Sequence, residues 1–204
     1  MKQRPLDVLA SYVDALRPII YINHFDFKAA DELIINLLSE EPSKKVYEFD
    51  NAKGYIDFFS KKQNASYSLE EFLSFIEDSD HMNGFLVLKD IHHFLYDPKI
   101  IAYLKSISLK NLHDETYNLT TFIISTKLMI PDELEPFITV FDMPNPDIPE
   151  IESIIEEFAN NQEIIIEQDV IDSLAVSFKG LSTFEIIQIL NLAYQNGGNI
   201  NKQD

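Results

Sequence analysis

The stretch Phe85-Leu86-Val87-Leu88-Lys89-Asp90 decides the fold class. Successive side chains of a strand face opposite ways, so four apolar residues in a row put apolar groups on both faces. Entered from an Asn83-Gly84 turn and left at a carboxylate, the run reads as a strand buried above and below. A sheet of such strands needs helices on each side.

The flanking sequence supplies them. Ile19 to Ile22 and Lys45 to Phe49 are strand candidates upstream; Leu119 to Ser125, rich in β-branched residues, and Ile138 to Phe141 follow downstream. Between them apolar residues recur at helical spacing. Leu6, Leu9, Val13 and Leu16 predict a helix over 5–17, which Pro18 stops. Ala30, Leu33, Ile34, Leu37 and Leu38 predict another over 29–38. Ser68-Leu69-Glu70-Glu71 opens a third with an N-cap and early acids, running to about Asp78. A fourth is expected over 98–109, and a helical turn at Pro131-Asp132-Glu133-Leu134. Alternating strands and helices predict a five-stranded parallel sheet with right-handed crossovers, covered on both faces.

At Met143-Pro144-Asn145-Pro146-Asp147-Ile148-Pro149 the character changes. Three prolines in six residues mark a boundary, dividing an α/β region, 1–143, from a helical one, 144–204. Ile151, Ile154, Ile155 and Phe158 mark one helix of the second region. Val170, Ile171, Leu174, Ala175 and Phe178 mark the next, and Phe184, Ile187, Leu190 and Tyr194 the last. Gly180 is placed to cap the middle one, and Asn196-Gly197-Gly198-Asn199 reads as a frayed tail.

In this order the pieces resemble an AAA+ ATPase module, a P-loop NTPase-like core followed by a small helical lid. Phe85 to Asp90 resembles a Walker B strand, and Thr121 to Thr126 the next strand, which ends in a polar sensor residue. Ile138 to Asp147 is similar to the last core strand and its exit to the lid, and Gly180 to Ile186 to the entry of the third lid helix. More narrowly, the chain looks like the degenerate first AAA domain of bacterial and plastid ATPases that carry an intact one further along. The resemblance implies strand order 5-1-4-3-2 and a chain that is part of a longer protein.

It also exposes missing chemistry. A phosphate loop needs G-x-x-x-x-G-K-[ST], whose backbone N–H groups, lysine and hydroxyl hold phosphates and Mg²⁺. The first strand–helix junction reads His24-Phe25-Asp26-Phe27-Lys28-Ala29-Ala30-Asp31, and no glycine precedes Gly54. Lys28 stands near the Walker lysine, but with no hydroxyl after it and no glycine before it a solvent-facing lysine in a first helical turn accounts for it better. Asp90 stands where the family holds Mg²⁺, but Ile91 follows it in place of a water-activating glutamate. Ser125 and Thr126 occupy the sensor place. The only arginines, Arg4 and Arg17, precede the core, so no arginine finger is expected. Lys28, Asp90, Ser125 and Thr126 are therefore vestigial nucleotide-site candidates at most. No catalytic residue, bound ATP, Mg²⁺ or other cofactor is expected. His92-His93 beside Asp90 invites a metal reading, but adjacent residues diverge on a helix or strand.

Composition bounds the rest. With 46% apolar residues, 15 Phe and 9 Tyr, a substantial core is affordable, and without cysteine there is no disulfide frame or thiolate site. No apolar run suits a membrane helix and the first residues show no signal-peptide pattern, so a cytoplasmic protein is expected. A formal charge of −18 disfavours nucleic acid as a direct partner. No basic residue lies between Lys127 and Lys179, and the acidic 128–178 surface suits either solvation or a basic protein partner. The expected function is a catalytically inactive AAA-like module for assembly, regulation or partner binding beside a companion AAA domain, with homo-oligomers in the longer protein. The alternatives are an ATP-binding module with a rebuilt phosphate loop and an unrelated α/β interaction domain.

Overall fold

The computed structural model describes residues 4–197, in two compact units that meet at Met143/Pro144. The part of the expected frayed tail from residue 198 onward lies outside the described residues. In the first unit the chain runs α1 (Pro5–Asp14), β1 (Ile19–Asn23), α2 (Phe27–Glu40), β2 (Lys45–Asp50), β3 (Gly54–Ile56), β4 (Gln63–Ala65) and α3 (Leu69–Glu77). It continues through β5 (Asn83–Lys89), α4 (Pro98–His113), β6 (Asn118–Ser125) and β7 (Ile138–Phe141).

Seven strands form one mixed sheet in the order β4-β3-β2-β5-β6-β1-β7. The pairs β2–β5, β5–β6, β6–β1 and β1–β7 are parallel, whereas β2–β3 and β3–β4 are antiparallel. The expected five-stranded, wholly parallel sheet is corrected to this wider one. The two added strands are three residues each, too short to show alternation, and local turn chemistry makes them. Asp50 accepts hydrogen bonds from the backbone N–H of Ala52 (2.9 Å) and Lys53 (3.0 Å), an Asx turn that reverses the chain. Gly54 then takes φ +79°, where a Cβ would also meet backbone atoms of Tyr67 and Ala65.

One further expectation changes. Asn83 and Gly84 belong to β5 itself rather than to a turn before it. The helical turn expected over 131–134 is present, closed by the N–H groups of Leu134 (2.9 Å) and Glu135 (3.1 Å) donating to the Pro131 carbonyl, and it runs on through a 3₁₀ turn, Glu135–Phe137, into β7.

Alternation of side chains divides the core in two. Tyr21, Leu86, Leu88 and Ile123 pack with α3 and α4, while Ile20, Ile22, Phe85, Val87, Phe122 and Ile124 pack with α1 and α2. Helix starts follow local sequence. Ser68 and Glu71 form a reciprocal capping box at α3, and Asp97 caps α4 ahead of Pro98.

The second unit comprises α5 (Ile148–Asn161), α6 (Gln168–Ser177) and α7 (Thr183–Gly197). Asp147 and Glu150 form its first capping box, and Ile151, Ile155, Val170, Ile171, Ala175, Ile186 and Leu190 form its core.

Gly84 limits how closely β5 meets β2. A Cβ there would sit 1.9 Å from the carbonyl oxygen of Lys45, a collision with backbone that no rotamer relieves. Gly84→Ala should therefore destabilise the chain by about 2–3 kcal/mol, read as a lower urea midpoint.

Candidate functional site

In an open α/β sheet the ligand crevice lies beyond the carboxyl ends of the strands, where connections leave to opposite faces. Here that edge is built from the exits of β1, β5 and β6.

The exit of β1 is very short. Only His24, Phe25 and Asp26 separate Asn23 from the first residue of α2. Asp26 is the N-cap, and its carboxylate accepts hydrogen bonds from the N–H groups of Lys28 (3.0 Å) and Ala29 (3.2 Å). These are the amides and the positive dipole end that would otherwise receive an external anion. Burial favours the neutral ring and holds the His24 imidazole below its usual range, against the opposing pull of the Asp26 carboxylate. Lys28 points away: its side chain is 88% exposed, 3.7 Å from Glu32 one turn on.

The exits of β5 and β6 lie side by side. The Asp90 N–H donates to the carbonyl of Ile124, and the His24 N–H donates to that of Ser125. Asp90 is left-handed, with φ +53°, a conformation that aspartate tolerates better than most residues. Its Oδ1 lies 3.9 Å from Nδ1 of His92, too far for a hydrogen bond. Asp90 Oδ1, His92 Nδ1 and Ser125 Oγ are all buried without a hydrogen-bond partner in the protein. Thr126 is exposed, and Ile91 is fully buried in the core under α3 and α4. Asp90 and Ser125 thus share the edge, while Lys28 and Thr126 turn to solvent. Among the described residues no three His, Asp or Glu side chains are grouped to hold a metal ion.

Beneath this edge lies a cluster that sequence reading missed. The Lys89 ammonium sits 2.7 Å from Asp31 on α2 and 2.7 Å from Glu48 on β2. Lys61 closes the square from the β3–β4 connection, at 2.9 Å from Asp31 and 2.7 Å from Glu48. Two positive and two negative groups alternate, with Lys89 and Glu48 almost wholly buried. The available signal was parity. Lys89 and Glu48 fall on inward positions of strands whose neighbours are apolar, and a buried charge needs a partner.

With this geometry in hand, comparison with known proteins identifies the family. The sequence model of the N-terminal domain of SpoVK-like AAA ATPases matches residues 5–143, and that of their second domain matches 149–204. The chain belongs to the SpoVK-like AAA ATPase family. Among curated relatives it is 27% identical over 187 residues to the AAA domain-containing protein ycf46 of Trieres chinensis, covering 91% of this chain and 37% of that protein. The ycf46 protein of Pyropia yezoensis is 29% identical over 175 residues, covering 85% and 35%. The chain therefore spans little more than a third of the length of these relatives. Solved structures agree at the level of the fold. PCH-2 of C. elegans superposes with a TM-score of 0.64 at 15% identity, covering 96% of this chain and 64% of that one. Domain III of the Thermotoga maritima replication initiation protein DnaA gives 0.55 at 15% identity, covering 99% and 90%. The AAA fold is present here with a seven-stranded mixed sheet.

Removing Lys89 would leave two buried carboxylates sharing one half-exposed lysine. Lys89→Met should cost about 3 kcal/mol, whereas Lys28→Ala should stay within about 0.5 kcal/mol, both read by urea denaturation. Lys61 sets a pH signature. Burial pulls its ammonium down, but hydrogen bonds to Glu48 and Asp31 outweigh this and raise it above its ordinary 10.5. A raised folded value adds stability that is complete below the ordinary value and fades as pH climbs through the raised one. The stability gap between the chain and Lys61→Met should hold steady from neutral pH to near 10.5 and narrow above it.

Proposed function

We propose that this chain is a non-catalytic AAA-like module that contributes assembly, regulation or partner binding within a longer protein. The observation that carries this reading is the Asp26 carboxylate seated on the Lys28 and Ala29 amides, across a junction of three residues without glycine. A phosphate entering there would displace a fixed carboxylate and meet like charge. Two further features support it. The residue after Asp90 is Ile91, which lies in the core and cannot polarise water. No arginine follows Arg17 to answer the charge of phosphoryl transfer, a contribution of about 10³–10⁵ in rate where it has been tested. Binding of ATP and Mg²⁺ is accordingly not expected of this chain, and any hydrolysis in the longer protein falls to another domain.

A second reading, a nucleotide site rebuilt around Lys28 and Asp90, has one observation in its favour. The unpartnered Asp90 Oδ1, His92 Nδ1 and Ser125 Oγ lie at the edge where such a ligand would sit.

Thermal unfolding with Mg-ATP separates the two. A nucleotide at 100 times its Kd would stabilise the folded chain by about 2.7 kcal/mol, a rise in Tm of at least about 5 °C. The expected result is no saturable shift and no phosphate release. A saturable shift abolished by Lys28→Ala and Asp90→Ala would replace the first reading with the second.

A further inference from the structure

Strands β1 and β6 are parallel neighbours, so the connections that enter them meet at the amino end of the sheet. One carries the end of α1 into β1, the other the end of α4 into β6. Between them lies a cavity of about 370 Å³, within the range of sites that take small ligands. Leu16 lines it from the first connection, and Asn111, Leu112, His113, Asp114 and Glu115 from the second.

Leu16 occupies a position suited to glycine. The Arg17 N–H donates to the Tyr12 carbonyl at 3.1 Å, a helix closure that ordinarily uses a left-handed residue. Leu16 supplies it with φ +52°, where a bulky side chain is strained. Yet its side chain is 48% exposed, and that of Leu112 on the other wall is 45%. Two leucines thus bring apolar surface to the cavity that the protein itself leaves half uncovered.

The rest of the lining is rich in negative groups. Helix α4 ends at His113, and among the described residues the carbonyls of Asn111, Leu112 and His113 accept no backbone hydrogen bond from beyond the helix. The negative end of the helix dipole therefore lies here, and Asp114 and Glu115 add two carboxylates. Hydrogen bonds from the Thr116 hydroxyl and N–H hold the Asp114 carboxyl below its usual range, which keeps it ionised. Asn111, 5% exposed, is the exception. Its Oδ1 accepts from the Leu119 N–H at 2.8 Å, while its Nδ2 is buried with no acceptor in the protein. Such a donor is costly to leave unpaired, and a carbonyl carried in by a ligand would answer it.

We propose that this cavity binds a small organic amine with an apolar body and a carbonyl oxygen, the chemistry of an amino-acid amide. The body lies between Leu16 and Leu112, the ammonium meets the end of α4 with Asp114 and Glu115, and the carbonyl accepts from Asn111. An anion is repelled by the same wall. The site shares no residue with the carboxyl edge of the sheet, so it stands whichever reading of that edge holds.

The chain has no tryptophan, so the indole fluorescence of a probe is read without background. The anisotropy of tryptophanamide, titrated with the whole chain, should rise saturably. Indolepropionamide, which lacks the ammonium, and tryptamine, which lacks the carbonyl, should each bind about fivefold more weakly. Leu16→Gly suits the left-handed backbone, so its urea midpoint should hold while binding weakens about tenfold. Leu112→Ser, on the surface, should weaken binding likewise. Glu115→Gln should weaken tryptophanamide roughly threefold and leave indolepropionamide unchanged. Glu133→Gln, beyond the carboxyl end of β6, makes the same change of charge and should alter neither. Tryptophanamide bound no better than either analogue, or bound equally by both leucine variants, would overturn the proposal. Equal losses in Glu115→Gln and Glu133→Gln would overturn it too, by reducing binding to the general negative field. The amide of Trp-Gly-Gly separates two sources of this chemistry. Equal binding marks the amino terminus of a peptide, weaker binding a free amide, and either upholds the site.

Discussion

The ammonium of Lys89 lies between Asp31 and Glu48, and much of the first unit depends on that arrangement. It joins three elements distant in sequence: α2, β2 and β5. Lys61 brings in a fourth, the connection between β3 and β4. Desolvating such groups is costly, and only the alternation of sign with short contacts offsets it. The cluster is therefore stringent about position. Helix α2 cannot slide along the sheet without leaving a carboxylate buried and unpaired, so its first turn is held where it stands.

That placement decides what the sheet edge can do. The start of α2 is where a P-loop fold receives phosphate, and here the Asp26 carboxylate already takes up its free amides. With the helix held from below by Asp31 and satisfied at its tip by Asp26, its N-terminus is complete without a ligand. Retained fold and altered junction are compatible for a simple reason. Stability comes from two apolar cores and a buried ion square, neither of which draws on a phosphate loop.

The second unit is governed by a different balance. Three helices close a small core, but apolar side chains remain on its surface and nearly all its charges are negative. Exposed apolar groups favour association, while a uniform field discourages association with itself.

The sequence by itself determined the α/β class, the change to helices after Met143 and the absence of a glycine-bearing phosphate loop. These are properties of consecutive residues: apolar runs, prolines and missing glycines act locally and can be read one segment at a time. Asp90 and Ser125 were legible as strand-end residues for the same reason. Only the tertiary structure decided the width of the sheet, because β3 and β4 are too short to carry a pattern and arise from the Asx turn at Asp50. It alone joined Asp31, Glu48, Lys61 and Lys89, residues up to 58 positions apart whose pairing is invisible until the chain folds. It also turned Lys28 to solvent and seated Asp26 on the helix start. A side chain's type follows from sequence, but its direction and its partner follow from packing.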